Sequence, residues 1–142
     1  MKTNFGKGLL AFSEGKYEQA FTFFEKSHRE NIPPDKHLTL YNTALSLIFL
    51  EDFVLAEDYF LKALRYLSNH SNSLHWIAYI NFRKGKLSTA QDHYLNSLKT
   101  HPRSQTSING CIHFFIEQGL NGEEIKVFLN NNGVQLNENE NF

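Results

Sequence analysis

The sequence predicts an all-α protein built by stacking antiparallel helix pairs, and three observations carry that expectation. A short phrase recurs as Ala20-x-x-x-Phe24, Ala56-x-x-x-Phe60 and Ala90-x-x-x-Tyr94, its alanines 36 and 34 residues apart. Self-similarity at that period is the mark of a helical repeat array. Each phrase stands in a longer frame. A large residue lies three before the alanine (Tyr17, Phe53, Leu87), a small one seven after it (Ser27, Ala63, Ser97) and another small one twelve before it (Gly8, Ala44, Ala78). Between the halves comes a polar turn at Ser13–Lys16, Leu50–Asp52 and Arg83–Lys86, two of these with a glycine suited to a helix C-terminus.

In chain order the units fall at about 1–34, 37–68 and 71–102. In each, two helices approach closely at the small residues while an aromatic ring fills the space beside them. Pro33 and Pro102 follow the second helices of the first and third units, where a residue that cannot continue a helix marks the passage to the next unit. Pro33, Pro34 and Asp35 account for the two extra residues between the first two alanines. From Ser104 to Glu117 the residues Ile108, Cys111, Ile112 and Phe115 have the spacing of a fourth first helix, ending at Gly119. A shorter helix from about Glu123 to Asn130 follows, with Glu124 where the frame alanine would stand. This degenerate unit, 104–131, is the expected terminal cap of the array. The Asn- and Glu-rich remainder, 132–142, reads as a flexible tail on an otherwise single domain, 1–131.

The frame resembles the tetratricopeptide repeat (TPR) family, whose pattern is large-x-x-large-small-x-x-large in the first helix and Ala-x-x-x-aromatic followed by proline in the second. The third unit fits best, with Leu74, Ile77, Ala78, Gly85, Leu87, Ala90, Tyr94, Ser97 and Pro102 in frame. Departures are Asn4 and Lys7 in the first unit, Thr43, Glu51 and Ser68 in the second, and Asn81 in the third. The resemblance implies a right-handed superhelical solenoid of three repeats plus a cap. It also implies a module that binds other proteins, as adaptor or chaperone, and is no enzyme.

Composition is consistent with that class. Fourteen Lys and Arg against fifteen Asp and Glu leave a net charge of −1, with no excess of cations to displace counterions from a phosphate backbone, so nucleic acid is not the expected partner. One cysteine, Cys111, permits no internal disulfide, which points to a reducing, cytoplasmic setting. Residues 1–12 make a poor signal peptide and no segment approaches the length of a membrane span, so no membrane partner is expected.

The first helices carry more apolar residues than helix pairing needs. A helix that packs only on its neighbours is apolar along one stripe. In the second unit Leu40, Thr43, Ala44 and Leu47 form that stripe, yet Leu38, Tyr41, Leu45, Ile48 and Phe49 lie on the other side. The third unit adds Trp76, Tyr79 and Phe82, flanked by His75 and Arg83, and the first unit has Phe5, Leu9 and Phe12 at equivalent positions. In the architecture that the chain resembles, these positions face the concave surface. The expected partner-binding groove is therefore lined by Phe5, Leu9, Phe12, Tyr41, Asn42, Leu45, Phe49, His75, Trp76, Tyr79, Phe82, Arg83 and His113, with a hydrophobic peptide as its cargo. Two other readings stay open. Neighbouring helices or the segment from Val134 to Phe142 cover these residues, or the face is permanently buried in a homo- or hetero-oligomer.

One specialisation is carried over residue by residue. Family members that clamp the C-terminal carboxylate of heat-shock chaperones use Lys and Asn in the first unit, Asn in the second, and Lys and Arg in the third. This chain has Phe5, Leu9, Asn42, Asn72 and Trp76 there, and only Asn42 matches. Without the cations a carboxylate would be desolvated unpaired, so such tails are not expected ligands.

No catalytic constellation and no cofactor motif is present. The seven histidines (His28, His37, His70, His75, His93, His101 and His113) lack metal-ligand spacing and no metal is expected. His75 and His113 are directed at the groove by the frame, where they would make binding pH-sensitive. Cys111 reads as a buried small hydrophobe. Helical repeats of similar period also read RNA one base at a time, a remote alternative that the neutral charge disfavours.

Overall fold

The computed structural model describes residues 3–30 and 36–135; the proline turn at Pro33, Pro34 and Asp35 and most of the expected tail lie outside the described residues. Eight helices and no strand are found among the described residues: α1 Asn4–Ser13, α2 Tyr17–Arg29, α3 Lys36–Phe49, α4 Phe53–Tyr66, α5 Ser71–Arg83, α6 Leu87–Thr100, α7 Gln105–Glu117 and α8 Gly122–Asn131. The chain forms two compact units, Met1–Ser73 and Leu74–Phe142.

In the first unit α1 packs on α2, α2 on α3 and α3 on α4. The frame alanines Ala20 and Ala56 and the aromatics Phe24 and Phe60 are all fully buried. Gly8 of α1 shows how tight the approach is. A Cβ there would fall 2.6 Å from the Phe24 ring, so the position admits no side chain without displacing the aromatic that fills the gap. In the second unit Ala78, Ala90, Tyr94, Leu98, Ile108, Cys111, Phe114, Phe115, Ile125 and Leu129 make one continuous core.

Thr3 caps α1 through the Gly6 amide at 3.0 Å, Asp52 caps α4 through the Leu55 amide at 3.2 Å, and Ser104 caps α7 through the Ser107 amide at 3.3 Å. Each satisfies a backbone donor that the helix start leaves without a partner. Asn121 and Glu124 form a reciprocal capping box at the start of α8. The glutamate that replaces the frame alanine therefore starts the last helix instead of packing on a neighbour. Gly133, at φ 77, ends α8, and the Val134 amide then donates to Leu129 O at 2.9 Å while its side chain buries in the core. The tail expected from 132 is thus anchored at its start.

The departures from the frame have local remedies. Thr43 and Asn81 are buried where large apolar residues are usual. The Thr43 hydroxyl donates to Thr39 O and the Asn81 amide to Ile77 O, each at 2.8 Å, so neither is left without a partner. The turns after the first helices need a residue in the left-handed region. Gly15 at φ 77 and Gly85 at φ 78 supply it without a Cβ penalty, but the second repeat, 37–68, places Glu51 there at φ 62.

Two stability measurements follow. By urea denaturation, Ala56→Leu is expected to cost about 1–3 kcal/mol by overpacking, whereas Glu18→Leu, on the exposed side of α2, changes stability by less than about 0.5 kcal/mol; equal effects at both sites would show the register to be wrong. Replacing Glu51 by Gly relieves the left-handed strain and is expected to raise stability by up to about 1 kcal/mol, and a loss of stability would contradict it.

Candidate functional site

In the first unit the site residues come from α1 and α3. Phe5, Leu9 and Phe12 share a face of α1 because they recur at helical spacing, as do Tyr41, Leu45 and Phe49 on α3. Phe12 stands edge-on to Phe49, ring centroids 5.4 Å apart, and to Tyr17 of α2 at 5.1 Å, while Tyr17 stacks on Phe49 at 4.7 Å with only 16° between planes. This triad joins three helices and still leaves Phe49 49% exposed. Leu9, 44% exposed, and Leu38, 36% exposed, extend the apolar surface.

Other members of that set turn inward. The Phe5 ring lies 5.8 Å from Phe24 and the Tyr41 ring 5.7 Å from Phe60, both against fully buried core aromatics. Tyr41 also meets His70 edge-on at 5.1 Å. Leu45 is half-buried. The Asn42 side-chain amide donates to Leu38 O at 2.8 Å, a bond within its own helix. Sequence reasoning treated Tyr17 only as a frame residue and gave His70 no role beside Tyr41. Nothing in their spacing marks either one, because both come from outside the first helices.

In the second unit Trp76, Tyr79 and Arg83 form a ridge along α5. The Trp76 and Tyr79 rings meet edge-on at 5.5 Å. Arg83 donates to the Tyr79 hydroxyl at 2.9 Å and holds its guanidinium 5.8 Å from the centre of that ring. The arginine is exposed and the two aromatics are half-buried, so the ridge presents apolar surface ending in a cation. Phe82 is turned towards α7, edge-on to the buried Phe114 at 5.7 Å. His113 is exposed on α7, with Nε2 3.9 Å from the Glu117 carboxylate one turn on.

His75 is directed between helices. Its ring contacts Trp76 at 5.2 Å and Tyr94 at 6.0 Å, and its Nδ1 is shut off from solvent with no hydrogen-bond partner. Burial pushes its pKa below the usual histidine value. Burial likewise pushes the Cys111 thiol up to about 12, which keeps it protonated and unreactive at neutral pH. Among the described residues no three His, Cys, Asp or Glu side chains are grouped to hold a metal ion, and no helix is long and apolar enough to cross a membrane.

No protein-family model matches the sequence, and no curated protein matches it at a significant level. Solved structures do match. The second TPR domain of human RPAP3, in complex with the HSP70 peptide SGPTIEEVD, superposes with a TM-score of 0.70 at 19% identity, covering 79% of this chain and 92% of that one. The first TPR of Spaghetti (RPAP3), bound to the HSP90 peptide SRMEEVD, gives 0.72 at 20% identity over 82% and 91%. The Sgt2 TPR domain of Aspergillus fumigatus gives 0.70 at 14% identity over 98% and 86%. With a repeat frame in the sequence and eight helices that superpose on these domains over most of its length, the chain has the tetratricopeptide fold.

Proposed function

We propose that the chain is a protein-interaction module, of adaptor or chaperone-like type, that receives a hydrophobic segment of a partner polypeptide on the first-helix faces of its units. One observation carries the reading: in each unit helix pairing leaves an apolar face of the first helices accessible. In the first unit this face is Leu9, Leu38 and Phe49; in the second it is the ridge of Trp76, Tyr79 and Arg83. Aromatic side chains and arginine dominate binding energy at protein interfaces because they bury large areas at small entropic cost. The RPAP3 domains, which share the fold, hold peptides, and that supports the class of ligand. A guanidinium at the end of the second ridge favours a partner segment with a carboxylate beside its apolar residues.

A second reading, a structural subunit whose apolar surface is permanently covered, is favoured by Val54 and Leu61. They lie on α4, outside the first helices, and are 68% and 45% exposed. Mass measured across a concentration series separates the two readings, since only the subunit requires self-association or a constitutive partner.

The direct test is selection from a displayed peptide library. Wild-type protein is expected to enrich peptides rich in aromatic and branched aliphatic residues. A Leu9→Glu, Tyr79→Ser double variant with unchanged circular dichroism should bind them at least about tenfold more weakly, the effect of removing roughly 1.4 kcal/mol of contact. Equal affinity for both proteins would sink the reading. The peptide SRMEEVD itself is expected not to bind at micromolar concentration, because the five positions that would hold its terminal carboxylates carry no cation here and Asn42 is engaged with Leu38. Fluorescence anisotropy with the labelled peptide checks this, and saturable micromolar binding would refute it.

A further inference from the structure

His75 is half-buried and holds one polar atom, Nδ1, where nothing polar answers it. Its α5 neighbour Trp76 belongs to the proposed binding face, and on its other side stands Gly110 of α7. A Cβ at 110 would lie 2.5 Å from His75 Nδ1, 2.7 Å from Cε1 and 3.2 Å from the Tyr94 ring, so the glycine makes the slot that the imidazole fills. Nδ1 is enclosed and unpartnered. A neutral imidazole tolerates this with the proton on Nε2 and Nδ1 as an unused acceptor. A protonated ring does not, because its second N–H would point into the slot with no acceptor and its charge would be desolvated.

The titratable groups around it offer no rescue. From α6 comes Tyr94, and from α7 Cys111, both kept protonated by burial. On its own helix stand Tyr79 and Arg83, the arginine bonded to the tyrosine hydroxyl. His113, one turn beyond Gly110 on α7, is paired with Glu117 instead. Burial alone depresses the basicity of His75, with no carboxylate contributing.

We propose that His75 is a proton-operated wedge that sets the position of Trp76 on the binding face, and that mild acidification expels the ring from the Gly110 slot and alters that face. The consequence for binding rests on the function proposed above; the wedge itself does not. The sign is fixed by the direction of the shift. A histidine whose basicity is lower folded than unfolded takes up its proton in the unfolded or opened form first. The closed arrangement is therefore fully favoured above the ordinary value of about 6.5 and loses stability as pH falls below it.

Trp76 is the only tryptophan in the chain, so intrinsic fluorescence reports on this contact without any ligand. Between pH 8 and 4.5 the emission is expected to change with a midpoint below about 6.5, while far-ultraviolet circular dichroism holds constant. His75→Phe, which fills the slot but cannot titrate, should abolish the transition, and Gly110→Ala, which closes the slot, should give the acid-type emission at neutral pH. A transition that survives in His75→Phe, or one with its midpoint at or above the ordinary histidine value, would overturn the wedge. Should His75→Phe fail to fold, proton NMR of the wild-type imidazoles decides: one histidine must titrate below the ordinary value, and seven that titrate at or above it refute the proposal. Affinity for a library-selected peptide should fall about tenfold one pH unit below the measured midpoint. Unchanged affinity across a genuine fluorescence transition would refute the regulation alone, whereas absence of peptide binding at every pH would count against the binding face and not against the wedge.

Discussion

Paired helices in this chain approach one another at positions that hold almost no side chain, and the remaining features of the fold follow from that approach. Gly8 leaves no room for a methyl group beside Phe24, and Ala20, Ala44, Ala56, Ala78 and Ala90 are completely buried. Helices brought so near leave gaps beside the small residues, and Phe24, Phe60 and Tyr94 close them. Packing of that density has little tolerance in volume, which is why the same two residue types return in each of the three full repeats. The close approach also consumes only one stripe of each first helix. Part of what the opposite side carries, including Leu9, Phe49 and the ridge of Trp76 and Tyr79, keeps accessible surface.

Polar residues within this apolar frame are accommodated locally. Thr43 and Asn81 return their side chains to the carbonyls of the preceding turn, and the Ser97 and Ser107 hydroxyls pair with one another at 2.7 Å. In each case a buried donor finds an acceptor without disturbing the backbone ladder, and the cost of burial is offset. Three buried atoms contrast with these: Thr39 Oγ1, His28 Nδ1 and His75 Nδ1 have no hydrogen-bond partner among the described residues, and His75 sits directly beside the one tryptophan of the candidate face. A buried polar atom without a partner is uncommon in a well-packed protein, and here it couples protonation to the position of a surface aromatic.

The aromatic complement of the first helices divides into two populations that look alike in the sequence. Phe5, Tyr41 and Phe82 lie against the core aromatics Phe24, Phe60 and Phe114, whereas Phe49 and the ridge of Trp76 and Tyr79 keep part of their surface accessible. Helical periodicity assigns a residue to a side of its own helix, and on that basis all six were equivalent. How far a ring on that side is covered depends on which neighbour arrives there. Tyr17 illustrates the limit: it belongs to α2 and to the repeat frame, yet it stacks on Phe49 and so shapes the first-unit face.

From the sequence alone followed the helical class, the repeat, the first and second helices of three units and the shortened final pair, because these depend on periodicity and residue volume, which are properties of the chain read locally. The departure at Glu124 was visible too, though not its use in a capping box. Only the tertiary structure decided which apolar side chains remain accessible, that Asn42 is engaged within its own helix, and that His75 points into the slot beside Gly110. The first and last of these are set by contacts between residues far apart in the chain, such as Phe12 with Phe49, 37 positions apart, and His75 with Gly110, 35 apart. Periodicity places each of these residues on a helix face, but the meeting of two faces is settled by the packing of one helix pair on the next.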